Sequence, residues 1–352
     1  DEETLRQYPQ LDLCFRGEYE LTGRDMAQAD DWRVIPGITW RNGDVITRNP
    51  DRGYIQDLDS IPYPARHLVD NRLYYRPDTG EPQTNIMTNR GCPYQCIYCL
   101  STQVAGLKIR ARSPENILGE IRECVEKYGI RNFLFRSDTF TFDKKWTLEL
   151  CRQIKQSGLG VQWTCNSRVD TIDEDRLRAM KAAGCWLIAF GVEAGSDEML
   201  KKLRKGATLQ QARDAIKLCK KVGIRTSIYL LIGAPWETEE TFKQTVDFGL
   251  ELDPDFVEFF YLYPFPGTDY YKEVVKLGLL EEGQFPDEAY DSPVVPSLAL
   301  TVDQLQQLRK KAVRRFLLRP SYVLRTLGKV RSAREVANYI RYGLEQLIQL
   351  AK

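Results

Sequence analysis

The sequence has one histidine, almost no net charge and no long apolar run. Each shortage removes a class of function. With His67 as the sole imidazole, ordinary acid–base catalysis by histidine is excluded as the main chemistry. His67 lies in a proline-rich connector and reads as a surface or packing residue. The 50 basic and 49 acidic side chains leave only +1, which is not the footprint of a DNA-binding protein. No stretch approaches the 18 or so apolar residues of a membrane-spanning helix. No signal peptide is visible. The chain opens at Asp1, and "DEETLRQYPQ" reads as the middle of a longer protein.

What is present fits an enzyme of one large or two modest domains. There are 352 residues, 43% apolar and 28% charged, ordinary values for a soluble globular chain. Charge is unevenly spread. Residues 301–352 hold twelve Lys and Arg against three Asp and Glu, so the first 300 carry −8 (38 minus 46). This basic tail reads either as solvated helix faces or as a contact for a membrane surface or nucleic acid. Six of the nine cysteines stand singly: Cys14, Cys124, Cys151, Cys165, Cys185 and Cys219. Several lie on apolar faces, where a free thiol packs as a small hydrophobe. This implies a reducing, cytoplasmic setting.

From Thr84 onward, β-rich apolar runs alternate with amphipathic helical runs. Strands are expected at 85–89, 132–136, 161–165, 186–190, 226–233 and 256–262. Helices are expected at 115–128, 144–157, 173–183, 196–205, 208–222 and 238–252. Ser113-Pro114 is a cap followed by proline in the first turn, and Lys205-Gly206 closes the fourth helix. Repeated βα units predict a parallel sheet, and the apolar strands predict cover on both faces. An incomplete β/α barrel and a doubly wound open sheet both satisfy the pattern. Upstream, residues 11–20 suggest a short strand ending at Gly17. Residues 37–49 suggest a hairpin turning at Asn42-Gly43. Residues 279–297 form an acidic, proline-rich loop, and the tail is helical with a break at Pro320.

The stretch "RGCPYQCIYCLS" (90–101) places Cys92, Cys96 and Cys99 in one loop directly after the first barrel strand. Three thiolates can hold a metal centre and leave one position free, as catalytic metal sites do. A zinc site lacks its fourth ligand here. A four-iron cluster normally takes four cysteines, so three leave one iron open to a small molecule. In β/α barrels, functional groups collect at the carboxyl ends of strands.

The C-x3-C-x-aromatic-C stretch, with Tyr98 as the aromatic, resembles the cluster motif of the radical S-adenosylmethionine (radical SAM) superfamily. The resemblance implies an incomplete (β/α)6 TIM-like barrel with a 4Fe-4S cluster on Cys92, Cys96 and Cys99. It implies reductive cleavage of S-adenosyl-L-methionine to a 5′-deoxyadenosyl radical, fed by a donor such as flavodoxin or ferredoxin. The later strand ends then gain candidate roles toward that cosubstrate. Asp138 could accept from the methionyl ammonium, or cap the next helix. Asn166 and Arg168 end the third strand; Arg168 could pair with the methionyl carboxylate or bridge to Asp170 or Asp173. Glu193, set among apolar residues, is costly to bury without a partner and resembles the family's carboxylate for ribose or ammonium. Gly233 and Pro235 allow close approach to adenine or ribose, or form a plain turn.

Residues 8–22, the hairpin and 57–68 are similar to the segments joining a cobalamin-binding domain to the barrel in the cobalamin-dependent branch. Asp12, Gly17 and Glu18 match its closing strand; Leu58, Asp59, Pro62, Pro64, Ala65 and Arg66 match its connector. Where that family often has two acidic residues, this chain has Ser137-Asp138. The implied division is a remnant of the Rossmann-like cobalamin domain (1–30), a linker with the hairpin (31–81), the barrel (82–290) and a helical region (291–352). Enclosing cobalamin would need residues upstream of those numbered here. The implied reaction is cobalamin-dependent methylation of an unactivated carbon in a small or lipid-like substrate. Methylthiotransferase-like chemistry and a radical rearrangement or cyclisation are alternatives, as is a non-catalytic zinc or RNA-binding module. A lipid-like substrate would place the basic helices at the inner membrane surface. Trp163, Tyr229, Tyr261 and Tyr263 fit a substrate pocket or core packing equally well.

Overall fold

A computed structural model describes residues 1–284, 292–328, 336 and 338. Part of the acidic loop and most of the tail beyond 328 lie outside the described residues. The N-terminal unit holds helices α1 (Glu2–Gln7) and α2 (Glu20–Gln28) and strands β1 (Leu13–Phe15), β2 (Ile38–Asn42) and β3 (Val45–Arg48). Strand β1 pairs antiparallel with β2, and β2 with β3. The expected division at residue 30 therefore cuts through one sheet. The hairpin turns one residue later than expected. Asn42 pairs with Val45, leaving Gly43-Asp44 as the loop, and Gly43 has the positive φ of +59° that a two-residue hairpin needs at its first position.

The central sheet comprises β4 (Gln83–Met87), β5 (Asn132–Arg136), β6 (Gln162–Ser167), β7 (Cys185–Glu193), β8 (Arg225–Ile232) and β9 (Phe256–Tyr261). Every neighbouring pair is parallel, and spatial order equals chain order. That order decides between the two expected architectures. A doubly wound sheet reverses direction at a switch point, whereas this one never does. Right-handed crossovers without reversal put all the helices on one side and curl the sheet into a barrel wall. Among the described residues β9 does not pair with β4, so the barrel is open.

The covering helices are α3 (Pro114–Tyr128), α4 (Lys144–Gln156), α5 (Glu174–Ala182), α6 (Asp197–Lys202), α7 (Leu209–Val222) and α8 (Glu239–Leu252). Ser113, Asp143, Asp173, Ser196, Thr208 and Thr238 cap them by accepting backbone N–H groups. Ile86, Phe133, Phe135, Trp163, Ile188, Phe190, Ile228 and Leu230 fill the core beneath them. The expectation that both sheet faces are covered is corrected here. Phe133 and Phe135 are buried while Leu134 is only partly so and Arg136 is exposed. Asn85, Met87 and Glu258 are also exposed. Six strands do not close, so the inner face lines an open lumen.

Three further helices follow: α9 (Asp269–Lys276), α10 (Val302–Leu317) and α11 (Pro320–Leu327). Pro320 starts α11, as its missing N–H allows. The basic residues of α10 face the barrel in part: Arg309 donates to the Phe259 carbonyl at 3.0 Å, and Arg315 pairs with Asp247 at 2.6 Å.

Candidate functional site

The cysteine loop is tied off at its base. Asn89–Arg90 pairs antiparallel with Arg110–Ala111, so residues 91–109 project from the mouth of the barrel. Gly91 has φ +90°, and a Cβ there would run into the Lys108 carbonyl; no other residue type fits. The Gly91 N–H donates to Asp138 Oδ2 at 3.0 Å, and the Cys92 N–H donates to the Gly106 carbonyl at 3.0 Å. The Ser101 N–H donates to Cys99 Sγ at 3.4 Å. All three cysteines are half-buried and free of disulfides.

The donor set suits a soft, polynuclear metal centre. Burial raises the Cys92 thiol above its ordinary range and pushes Cys99 up to about 11, and in both cases the neighbouring thiolates add to the rise. Only a cation among them reverses that balance and deprotonates the sulfurs. Among the described residues no three His, Cys, Asp or Glu side chains converge on a single-ion site. Three thiolates in one loop suit a cluster whose separate irons each take one thiolate.

The structure gathers most of the predicted residues at the same mouth. Asp138 does not cap the next helix; Asp143 does. Asp138 instead holds the Gly91 peptide beside Cys92 and lines a cavity of about 410 Å³ with Gly17, Glu18, Arg90 and Asn166. Asn166 Oδ1 accepts from the Tyr229 hydroxyl at 3.4 Å. Arg168 makes the expected bridge to Asp170. It makes two bonds to Asp170, at 2.9 and 2.8 Å, and one to the Lys205 carbonyl at 2.8 Å. Its flat face covers the ring of Tyr94 in the cysteine loop.

Glu193 has the partner that its burial requires. Lys205 Nζ lies 2.6 Å from Oε1, with both side chains 7% exposed. The sequence reading placed Lys205 at the end of a helix over 196–205. In the structure α6 ends at Lys202, Arg204 takes φ +52°, and Lys205 turns inward. Glu193 itself has φ +70°, and strand pairing shifts beside it, between Tyr229 and Leu230. Tyr98 joins this pair. Burial, then the charge of the nearby Glu193, holds its hydroxyl well above the ordinary range.

Gly233 (φ +88°) and Pro235 lie in a covered turn. The Gly233 N–H donates to Glu237 Oε2 at 2.5 Å, and its carbonyl accepts from the Tyr270 hydroxyl at 3.1 Å. The Pro235 carbonyl accepts from the Leu298 N–H at 2.8 Å. Burial pushes Glu237 up to about 8, against the opposing Gly233 bond. Sequence reasoning missed Tyr94, Lys205 and Glu237. The one available signal was an isolated charge in an apolar run, as at Glu237 in "LIGAPWET". Of the aromatics, Trp163 is core, stacked on Phe135 at 4.7 Å, and Tyr261 is buried. Tyr229 faces the lumen, in edge contact with Phe260 at 5.4 Å.

Residues 86–249 match the profile of the family described as the Radical SAM superfamily. An uncharacterized methyltransferase of Pyrococcus horikoshii is 34% identical over 92% of this chain and 71% of its own length. The chain belongs to the radical SAM superfamily. Membership makes it an enzyme whose cofactors are a 4Fe-4S cluster and S-adenosylmethionine. An anaerobic magnesium-protoporphyrin IX monomethyl ester cyclase of Cereibacter sphaeroides is 26% identical over 90% of this chain and 53% of its own length. The fold also matches the structure of the cobalamin-dependent S-adenosylmethionine radical enzyme OxsB, with TM-score 0.71 and 17% identity, covering 99% of this chain and 57% of that one. The chain thus spans between half and three-quarters of the length of these proteins.

Proposed function

We propose that Cys92, Cys96 and Cys99 hold the cluster of a radical SAM methyltransferase that alkylates an unactivated carbon of a small molecule seated at the barrel mouth. The observation that carries this reading is the loop itself. Three free thiols project from the carboxyl end of the first barrel strand, with Tyr94 and Gly91 anchored to later strand ends. Bound there, the cluster supplies the electron for cleavage of S-adenosylmethionine, and cobalamin supplies the methyl group.

The chain's own residues position and shield. Asp138 fixes the Gly91 peptide and leaves one carboxylate oxygen for the cosubstrate's ammonium. Glu193, anchored by Lys205, presents an acceptor to the ammonium or ribose hydroxyls. The Gly233–Pro235 turn, held by Glu237 and Tyr270, offers backbone to the adenine. Arg168 acts through Tyr94 instead of on the carboxylate. Asn89, Ser101 and Ser137 line the cavity of about 410 Å³ and add polar side chains to its wall. The cavity is walled on one side by Gly17–Glu20, which supports cobalamin approach from the N-terminal side.

Cyclisation is the second reading, favoured by the similarity to the cyclase. The setting we propose is cytoplasmic, with a flavodoxin- or ferredoxin-like donor. No helix among the described residues is long and apolar enough to cross a membrane. The contacts of Arg309 and Arg315 with the barrel support packing over lipid binding for α10.

Anaerobic reconstitution with iron and sulfide tests the core of this reading. About four irons per chain, and a paramagnetic resonance spectrum of the reduced protein that changes with S-adenosylmethionine, are expected. Zinc in place of iron, or a spectrum indifferent to S-adenosylmethionine, would overturn it. Cobalamin binding then separates the methylation reading from a cobalamin-free one.

A further inference from the structure

One residue outside the barrel is bonded into the scaffold of the cysteine loop. Glu18 follows β1 and is buried. Its carboxylate accepts two bonds from Arg110, at 2.8 and 2.7 Å, and one from the Ile55 N–H at 2.7 Å. Arg110 lies on the returning arm of the loop. It also donates to the Ala105 carbonyl at 2.6 Å. The next carbonyl, that of Gly106, accepts the Cys92 N–H at 3.0 Å.

Tyr54 closes the same joint. Its ring lies so near Gly106 that a Cβ there would come within 2.7 Å. Its hydroxyl donates to the Gln103 carbonyl at 3.2 Å, and the Arg110 guanidinium sits 5.0 Å from its ring centroid. An unbroken chain of contacts therefore runs from Glu18 through Arg110 and the 105–106 backbone to Cys92.

A buried bidentate pair of this kind adds geometry more surely than stability, because desolvation offsets much of its attraction. Its position gives that geometry a use. Three points hold the Cys92 end of the loop: Asp138 on the Gly91 N–H, the Gly106 carbonyl on the Cys92 N–H, and Arg110 on the adjacent Ala105 carbonyl. Two of the three depend on residues outside the barrel. We propose that Glu18 and Arg110, braced by Tyr54, are positioning residues that fix Cys92 in the cluster-binding geometry. The N-terminal segment is then part of the site's scaffold. Glu18 also lines the mouth cavity together with Ala105 and Asp138, so a molecule seated there touches Glu18 and the loop backbone that Arg110 holds. The inference rests on the reading that Cys92 is a cluster ligand.

The test uses the full chain with two conservative variants. Glu18→Gln keeps shape and removes charge; Arg110→Lys keeps charge and removes the fork that reaches Ala105. In both, iron loss to a chelator should rise roughly tenfold, the lower end of what removing support behind a metal ligand produces. Amide exchange should quicken over residues 91–106 while β7 and β8 stay protected. The resonance spectrum should lose part of its response to S-adenosylmethionine. Wild-type iron retention and unchanged exchange over 91–106 in both variants would overturn the proposal. So would exchange that rises equally throughout the barrel in both, which is the mark of general adhesion. A Cys92→Ala protein that keeps its iron defeats the underlying cluster reading instead, and separately.

Discussion

The guanidinium of Arg168 lies over the ring of Tyr94, with its central carbon 3.4 Å from the ring centroid. Tyr94 sits between Cys92 and Cys96, and Arg168 follows β6. The stack joins the cysteine loop to a strand end more than seventy residues away in sequence. Asp170 fixes the guanidinium from behind through two bonds. A desolvated stack of this type contributes on the order of 1–2 kcal/mol, here directed at loop geometry.

Replacing Arg168 tests that role. Arg168→Lys retains charge but cannot stack flat and bond Asp170 at once. Bound iron after reconstitution should fall in Arg168→Ala and be intermediate in Arg168→Lys, with the thermal midpoint less affected than the iron content. Equal iron in all three proteins would show that the stack is dispensable.

The two classes of cysteine should separate cleanly. Alanine at Cys92, Cys96 or Cys99 should abolish most iron binding without loss of fold. Alanine at Cys124 or Cys151, both buried among core residues, should keep iron and lower stability by about 1–2 kcal/mol, the cost of a small core cavity. Metal analysis alongside denaturant unfolding distinguishes the two outcomes.

The Glu193–Lys205 pair is buried on both sides, so removing one partner leaves an uncompensated charge. Lys205→Met should destabilise by about 3–5 kcal/mol, and adding Glu193→Gln should recover much of that. Neither protein should bind S-adenosylmethionine well. Gly191→Ala makes a gentler probe, because a Cβ there would collide with Glu193 Oε1 and come within 2.6 Å of Lys205 Nζ. Calorimetric titration with S-adenosylmethionine should show weaker binding by Gly191→Ala than by the parent.

Glu237 gives a pH dependence. Its carboxyl is raised from 4.5 to about 8 by burial, so between those values the folded chain holds a proton that the unfolded chain lacks. Stability from this group is fully present below 4.5 and is lost as pH rises through about 8. Urea midpoints should decline across that window. In Glu237→Gln, which keeps an oxygen for the Gly233 N–H, the decline should be shallower. Parallel slopes in the two proteins would contradict a raised Glu237.

Much of this was readable from local chemistry. Ser113-Pro114 and the threonine caps at 208 and 238 mark helix starts because capping is a contact between near neighbours. The apolar run at 132–136 marks the strand, but with Leu134 as apolar as Phe133 and Phe135 it could not say which face is covered. The cysteine spacing identified the loop because its three donors lie within eight residues. Glu193 was singled out correctly as a charge in need of a partner, but nothing nearby in sequence named Lys205. That lysine doubles as a basic residue near a helix end, and only the turn at Arg204 sends it inward.

The sequence by itself determined the elements, the parallel sheet and the family, since each depends on period, spacing or a short motif. The tertiary structure decided what depends on strand order and on distant approach. It chose the open barrel, because neighbouring strands follow chain order without reversal. It gave Arg168 its bridge to Asp170 and set its guanidinium on the ring of Tyr94. It also tied Glu18 to the loop of Cys92 through Arg110. Pairings of this kind bring together charges tens of residues apart, and burial makes them obligatory only once the chain has folded.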